Sequence, residues 1–328
     1  MGEIIAIAMG VVIGDLLLQD VNVRNTVLIA AVLAAALDIV TIYVAGDAYM
    51  VLVRLLEGLT EGVLTWVAIG VLVRSANPER LGGGFVALQT IFQALLAAAL
   101  ALLVIPKLGW QGGFTVLAAI KLSPLLFSAQ IAPVLQKLDT QGQKTPWSID
   151  SALGLTIALV HLGAGISIWA YLEPLGKEMG PTSQAVQLLV FAVLVAQIAS
   201  AYLSSMVVGR MREKSVLLGG SVAFVLLAFL WSRLGSGQSV AFWLLGCTLG
   251  SLWVFLQPFH IKLALAIDPS GQIAALVPAA QILGAAMGPL LASFVVAGEK
   301  ATPVFSVSAS LALVAFACVA ILSVRARP

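Results

Sequence analysis

Residues 26–45, TVLIAAVLAAALDIVTIYVA, hold one charged side chain, Asp38, in twenty positions. A hydrocarbon core of about 30 Å is crossed by about 20 residues of α-helix, so this stretch has the length and composition of one crossing. Lipid offers no partner to backbone N–H and C=O groups, and a helix is the local structure that satisfies them within the run. Working outward, ten further runs repeat the pattern, near 2–18, 48–73, 82–105, 113–135, 151–172, 184–207, 216–233, 239–265, 272–297 and 303–324. The breaks between them carry turn-forming or polar residues: Asn77-Pro78, Lys107 with Gly109, Gln136 to Ser148, Glu173-Pro174, Ser236-Gly237, Asp268-Pro269 and Gly298-Glu299-Lys300. The sequence predicts an all-α, multi-spanning transmembrane helical bundle.

Composition excludes the rivals. The 328 residues are 61% hydrophobic and 10% charged, against about 45–50% and about 25% in soluble domains, so water cannot be the main solvent of this surface. A net charge of +2 without any Lys/Arg-rich run gives nucleic acid nothing to bind. Cys247 and Cys318 lie in apolar runs and frame neither a disulfide nor a metal site. His161 and His260 stand 99 positions apart without an H-E-x-x-H or C-x-x-C companion, so no metal is expected. No G-x-x-x-x-G-K-[ST] loop exists, and no cofactor is expected either. The paired acidic, metal or Ser/Asp groupings of intramembrane enzymes are missing, which predicts a non-enzyme. Glu3 stands where a secretory signal would be basic, so the first run is expected to stay as a span.

Loop charges predict orientation, because Lys and Arg favour the cytoplasmic side. With the N-terminus outside, Arg24, Arg74, Arg80, Lys137, Lys144, Arg210, Arg212, Lys214, Lys262, Arg325 and Arg327 fall inside, and Lys107, Lys177, Arg233 and Lys300 outside. The predicted protein is multi-pass in the cell inner (cytoplasmic) membrane, N-terminus outside and C-terminus cytoplasmic.

The chain also repeats. Arg24-Asn25-Thr26-Val27-Leu28 returns as Lys214-Ser215-Val216-Leu217-Leu218, and Asn77-Pro78 with Gln89 returns as Asp268-Pro269 with Gln281, at an offset of about 190 residues. Two parallel halves follow: 1–135 with five helices, a cytoplasmic central loop at 136–150, and 151–328 with six. At that offset the counterpart of the 151–172 span falls before Met1. The expectation is a twelve-helix ancestor whose first helix is missing here, by loss or by a misplaced start.

Parallel repeated halves resemble the major facilitator superfamily. Arg54-Leu55-Leu56-Glu57-Gly58-Leu59-Thr60-Glu61-Gly62 looks like its fourth-helix motif, an Arg followed by glycines at four and eight positions. Asn77-Pro78-Glu79-Arg80 and Gly109-Trp110-Gln111 fit familiar places. The family's gating loop after its second helix survives as Gly14, Leu16 and Arg24, with Leu18 in the Asp position and Val21 in the Gly position. Its second copy keeps Gly209, Arg210, Arg212 and Lys214, with Met206 for Asp. The resemblance implies a transporter fold lacking the first family helix, with Gly14, Arg24, Gly209 and Arg210 as gating-loop candidates. The fifth-helix antiporter motif is not recognisable in 82–105, although its repeat partner carries Gly284-x-x-x-Gly288-Pro289.

Ionisable groups inside a membrane cost about 2.5–3.5 kcal/mol each and turn toward the bundle interior. Arg54, Glu57 and Glu61, spaced three and four apart, share one helix face. They read either as a proton-coupling or substrate-contacting cluster or as an ion-pair lock. Asp38 is placed to pair with Arg54 from the neighbouring helix, in a coupling or a purely structural role. Lys121 reads as a contact to substrate or carboxylate, or as a structural tie. His161, mid-span in the helix that the resemblance assigns to the cavity wall, reads as a titrating group or a satisfied core histidine, and His260 as interfacial. Gln89, Gln93, Gln257, Gln281 and Trp253 are candidate substrate contacts, with interhelical bonding and packing as the alternative. Gly58 with Gly62, Gly246 with Gly250 and Gly284 with Gly288 form small-x-x-x-small pairs that permit close helix approach.

The functional expectation is secondary active transport of a small organic solute by a monomer in the lipid bilayer, coupled to protons through Glu57 or Glu61 by alternating access. The alternative is a non-transporting membrane protein, a binding or sensing subunit or a remnant.

Overall fold

A computed structural model describes residues 2–18, 21–135, 147–179, 183–235, 237–296 and 300–325. Lys137, Lys144, Arg327 and most of the expected central loop lie outside the described residues.

Helices dominate throughout: α1 Gly2–Leu17, α2 Val23–Tyr43, α3 Asp47–Val73, α4 Pro78–Ala99, α5 Ile105–Lys121, α6 Ile149–Trp169, α7 Leu172–Met179, α8 Ser183–Val207, α9 Glu213–Ser232, α10 Ser239–Ile267, α11 Gln272–Ser293 and α12 Val304–Arg325. Local chemistry sets several starts. Asn22 Oδ1 accepts the Asn25 N–H (3.1 Å) ahead of α2, and Ser148 Oγ accepts that of Ser151 (3.1 Å) ahead of α6. The Asp268 carboxylate accepts the Ser270 and Ile273 N–H groups (3.0 and 2.9 Å) as the chain turns through Gly271, φ 83°, into α11.

Three features differ from the sequence expectation. α4 and α5 are joined through a π-helical stretch, Leu100–Val104, and the backbone departs from the helix at Gly109 (φ 66°, ψ −173°), a conformation suited to glycine. The span expected over 113–135 ends at Lys121, because Ser123-Pro124 begins a short 3-10 turn. A second such turn follows at Ser128–Gln130, and the chain then pairs Pro133 C=O with the Val23 N–H (2.9 Å). Arg24 donates to Ile131 C=O (3.0 Å) and fastens this tail. α7, a short amphipathic helix not anticipated from the sequence, is tied down by its Glu178 carboxylate. That group accepts the Ala301 and Thr302 N–H groups (2.8 and 3.1 Å) ahead of α12.

The chain divides into two compact units, residues 1–75 with 93–139, and residues 76–92 with 140–328. In the first, α1 packs on α3, and α2 on α3 and α5. In the second, α8 packs on α10, and α9 on α10 and α12, so the same pairings recur in the same chain order. α6 adds a further layer against α10, α11 and α12. Residues 76–92, the start of α4, group with the second unit, where Gly83 lies against Ser205 and Pro258.

Glycines set the closest approaches in each unit. A Cβ on Gly62 or Gly10 would meet the Ile7 or Leu59 carbonyl, so α1 and α3 touch backbone to backbone. A Cβ on Gly284 or Gly288 would meet the Leu159 or Gly163 carbonyl, which brings α11 against α6 in the same way. Gly246 and Gly250 instead face the side chains of Leu189 and Val193.

Candidate functional site

In the first unit, four helices converge on one charged cluster. From α3, Arg54 donates to Glu3 of α1 through Nε (2.9 Å) and Nη2 (2.5 Å), a two-pronged pair suited to the planar guanidinium. Its Nη1 donates to Glu57 one turn on (2.5 Å) and stands 3.7 Å from Asp38 of α2. The guanidinium also lies over the Phe114 ring of α5, 5.5 Å from its centroid. Lys121, on the last turn of α5, reaches Asp38 (2.9 Å), Glu61 (2.8 Å) and Glu57. The early end of α5 places this ammonium at a helix terminus, where it reaches across to α2 and α3.

Asp38 and Glu57 are fully buried, whereas Glu3, Arg54 and Glu61 each keep 26% of their side-chain surface. Neither Asp38 oxygen has a hydrogen bond of acceptable geometry, although the Lys121 nitrogen is 2.9 Å away, so that contact is an ion pair without a directed bond. Four carboxylates face two cations. Fully ionised, the cluster would carry two uncompensated negative charges inside the spanning helices.

The structure joins Arg54, Glu57, Glu61, Asp38 and Lys121 as one group and adds Glu3, which the sequence reading treated only as evidence against a signal peptide. A carboxylate opening an apolar run was the available signal.

In the second unit the histidines meet. His161 of α6 and His260 of α10 are 1% and 3% exposed, and His161 Nδ1 lies 3.0 Å from His260 Nε2. His260 is therefore buried among helices, and the separation of 99 positions conceals a direct contact. His161 Nε2 is 2.8 Å from Ser221 Oγ of α9, and His260 Nδ1 is 3.0 Å from Gln281 Nε2 of α11. Gln281 thus engages a histidine. Trp253 is buried edge-on against Trp169 (5.5 Å) and fills the space beside Gly165. Gln257 is half-buried, and Gln89 and Gln93 are exposed. Of the gating-loop candidates, Gly14 lies against the Trp66 ring, Arg24 holds the 129–131 carbonyls, and Gly209 and Arg210 are exposed.

No known family profile and no curated relative matches the sequence. Solved structures do. The E. coli fucose:proton symporter FucP aligns with 100% of this chain and 90% of its own at TM-score 0.72 and 14% identity. The proton:xylose symporter XylE aligns with 100% and 85% at 0.75 and 14%. The human organic anion transporter MFSD10 aligns with 97% and 82% at 0.72 and 16%. Helix lengths, paired units and these alignments together define a multi-pass membrane protein. Its fold is that of the major facilitator superfamily.

Proposed function

We propose that this protein is a secondary active transporter of a small organic solute, coupled to protons, in the cell inner membrane. Residues 1–135 and 151–328 would be the halves that alternate access. The observation that carries the reading is the charge imbalance of the Glu3–Asp38–Arg54–Glu57–Glu61–Lys121 cluster. A proton is the smallest charge that relieves it, and its binding and release can be linked to a change of packing. Glu61 is the carrier. Within the cluster it pairs only with Lys121 and keeps contact with its surroundings, whereas Glu57 is enclosed between Arg54 and Lys121. The fold similarity to two proton symporters agrees with this reading.

The test is a proteoliposome with an entrapped pH-sensitive dye, challenged with a panel of sugars, organic anions and amphipathic solutes, with and without a protonophore. The wild type is expected to acidify the lumen with at least one solute, and Glu61→Gln to lose that coupling while remaining folded. Unchanged coupling in Glu61→Gln removes Glu61 from the mechanism. A wild type that moves no proton with any solute leaves the non-transporting reading in its place.

A further inference from the structure

Four buried side chains of the second unit, Gln281, His260, His161 and Ser221, form one continuous hydrogen-bonded chain with a fixed direction. Gln281 Nε2–H donates to His260 Nδ1, which makes that nitrogen an acceptor and places the His260 proton on Nε2. His260 Nε2–H then donates to His161 Nδ1, and His161 Nε2–H donates to Ser221 Oγ. The Ser221 hydroxyl donates in turn to the Leu217 carbonyl (3.0 Å). Each ring nitrogen and the Ser221 hydroxyl hydrogen is used once, both rings are neutral, and α6, α9, α10 and α11 are tied together.

We propose that the His161–His260 pair is a second proton-binding site, distinct from the carboxylate cluster and independent of its role, which takes up one proton and no more. A half-turn of the Gln281 amide presents Oε1 to His260 in place of the amide nitrogen. A proton from water then adds to His260 Nδ1 and is donated to that oxygen. His260 becomes an imidazolium, and the bonds to His161 and from His161 to Ser221 stand as before. The bond that forms is Nδ1–H, the bond that breaks is an O–H bond of the hydronium that delivers the proton and leaves as water, and the added charge is spread over hydrogen bonds to Gln281 Oε1 and His161 Nδ1, which a charged donor strengthens. A second proton has only His161 Nδ1 to go to. That nitrogen already accepts from His260, so a second proton would set N–H against N–H between two adjacent cations.

Burial opposes the first charge, so the acceptors decide whether the site fills. Among the described residues, no charged side chain is bonded to the pair. The ionisable groups on the surrounding helices are Asp150 on α6, Glu213 and Lys214 on α9, Cys247 and Lys262 on α10, Tyr202 on α8, and Cys318 and Arg325 on α12, with none on α11 and Glu79 and Arg80 on the first turn of α4. Lys262 is engaged by the Val208 and Met211 carbonyls (2.8 Å each), Lys214 by Leu322 C=O (3.1 Å), and Arg325 by Asp150 (2.8 Å).

The chain contains two histidines in all, so untagged protein labelled with 15N-histidine reports on this pair alone. In nanodiscs at about pH 8 both rings are expected neutral with Nε2 protonated. Acidification to the limit of the folded state should produce one imidazolium per chain. In Gln281→Leu, which removes the acceptor oxygen, the imidazolium should appear about one pH unit lower or not at all. Two imidazolium signals, none over that range, or an unchanged midpoint in Gln281→Leu would each overturn the proposal. Should the variant not fold, the proton count of the wild type decides.

Discussion

Replacing Lys121 by methionine is expected to destabilise the protein by about 3–5 kcal/mol, the usual cost of stranding buried charge. The substitution keeps an unbranched stem and deletes the cation that three carboxylates share. Asp38 would retain only the 3.7 Å approach to Arg54, and Glu61 would lose its partner within the cluster. Arg54, already committed to Glu3 and Glu57, cannot replace an ammonium that arrives from α5. The sign of the pH effect follows from charge. Carboxylates that take up protons need no cation, so the deficit should be larger at alkaline than at acid pH. Thermal unfolding in one detergent at both pH values measures it. Adding Asp38→Asn should restore a substantial part of the loss, because one charge is then removed from each side. A single variant as stable as the wild type at every pH would show that the cluster contributes nothing to the fold.

The parts of this arrangement legible in the sequence are those written at short range. Residues 26–45 announce a spanning helix because lipid dictates both its length and its apolarity. The spacing of Arg54, Glu57 and Glu61 announces a common face because the helical repeat does. Lys121 falls inside an apolar run in the sequence but at a helix end in the structure. The apolar run continues past it to 135, and only Ser123-Pro124 hints that the helix stops there. α7 escapes the pattern because eight residues with a charged face carry no membrane signal.

Partners that arrive from distant helices left almost no trace. Glu3 and Arg54 are 51 positions apart, and periodicity places each on its own helix without saying which helices touch. The two histidines are the stronger case. Each looks like an isolated polar residue in an apolar run, and their bond depends on the rotation of α6 against α10 and α11. The repeat offset would have helped with α11 but not with α6, which has no counterpart in the first unit to compare. Of three small-x-x-x-small pairs, Gly58 with Gly62 and Gly284 with Gly288 mark backbone contacts, while Gly246 with Gly250 marks a seat for side chains, and spacing alone does not distinguish them.

Gly284→Ala is expected to cost at least about 1–3 kcal/mol, the overpacking range, and Gly284→Ala with Gly288→Ala to prevent stable assembly of α6 with α11. Lipid tails are as apolar as the helices, so no hydrophobic term holds this pair together, and close van der Waals contact must do so. A methyl group at either position enters the space of a backbone carbonyl, Leu159 or Gly163, and a carbonyl cannot swing aside as a side chain can. The helices must separate, and the contacts along the whole interface weaken together. Gly62→Ala should behave similarly through Ile7 and Gly10 in the first unit. Gly246→Ala supplies the contrast, because Leu189 can move to another rotamer, and its cost should stay below that of Gly284→Ala. Unfolding midpoints of the three single variants in the same detergent test this order. If Gly246→Ala proves the most damaging, backbone contact is not what joins these helices. If Gly284→Ala is neutral, α6 and α11 have room to slide and their interface belongs to the moving parts of the protein.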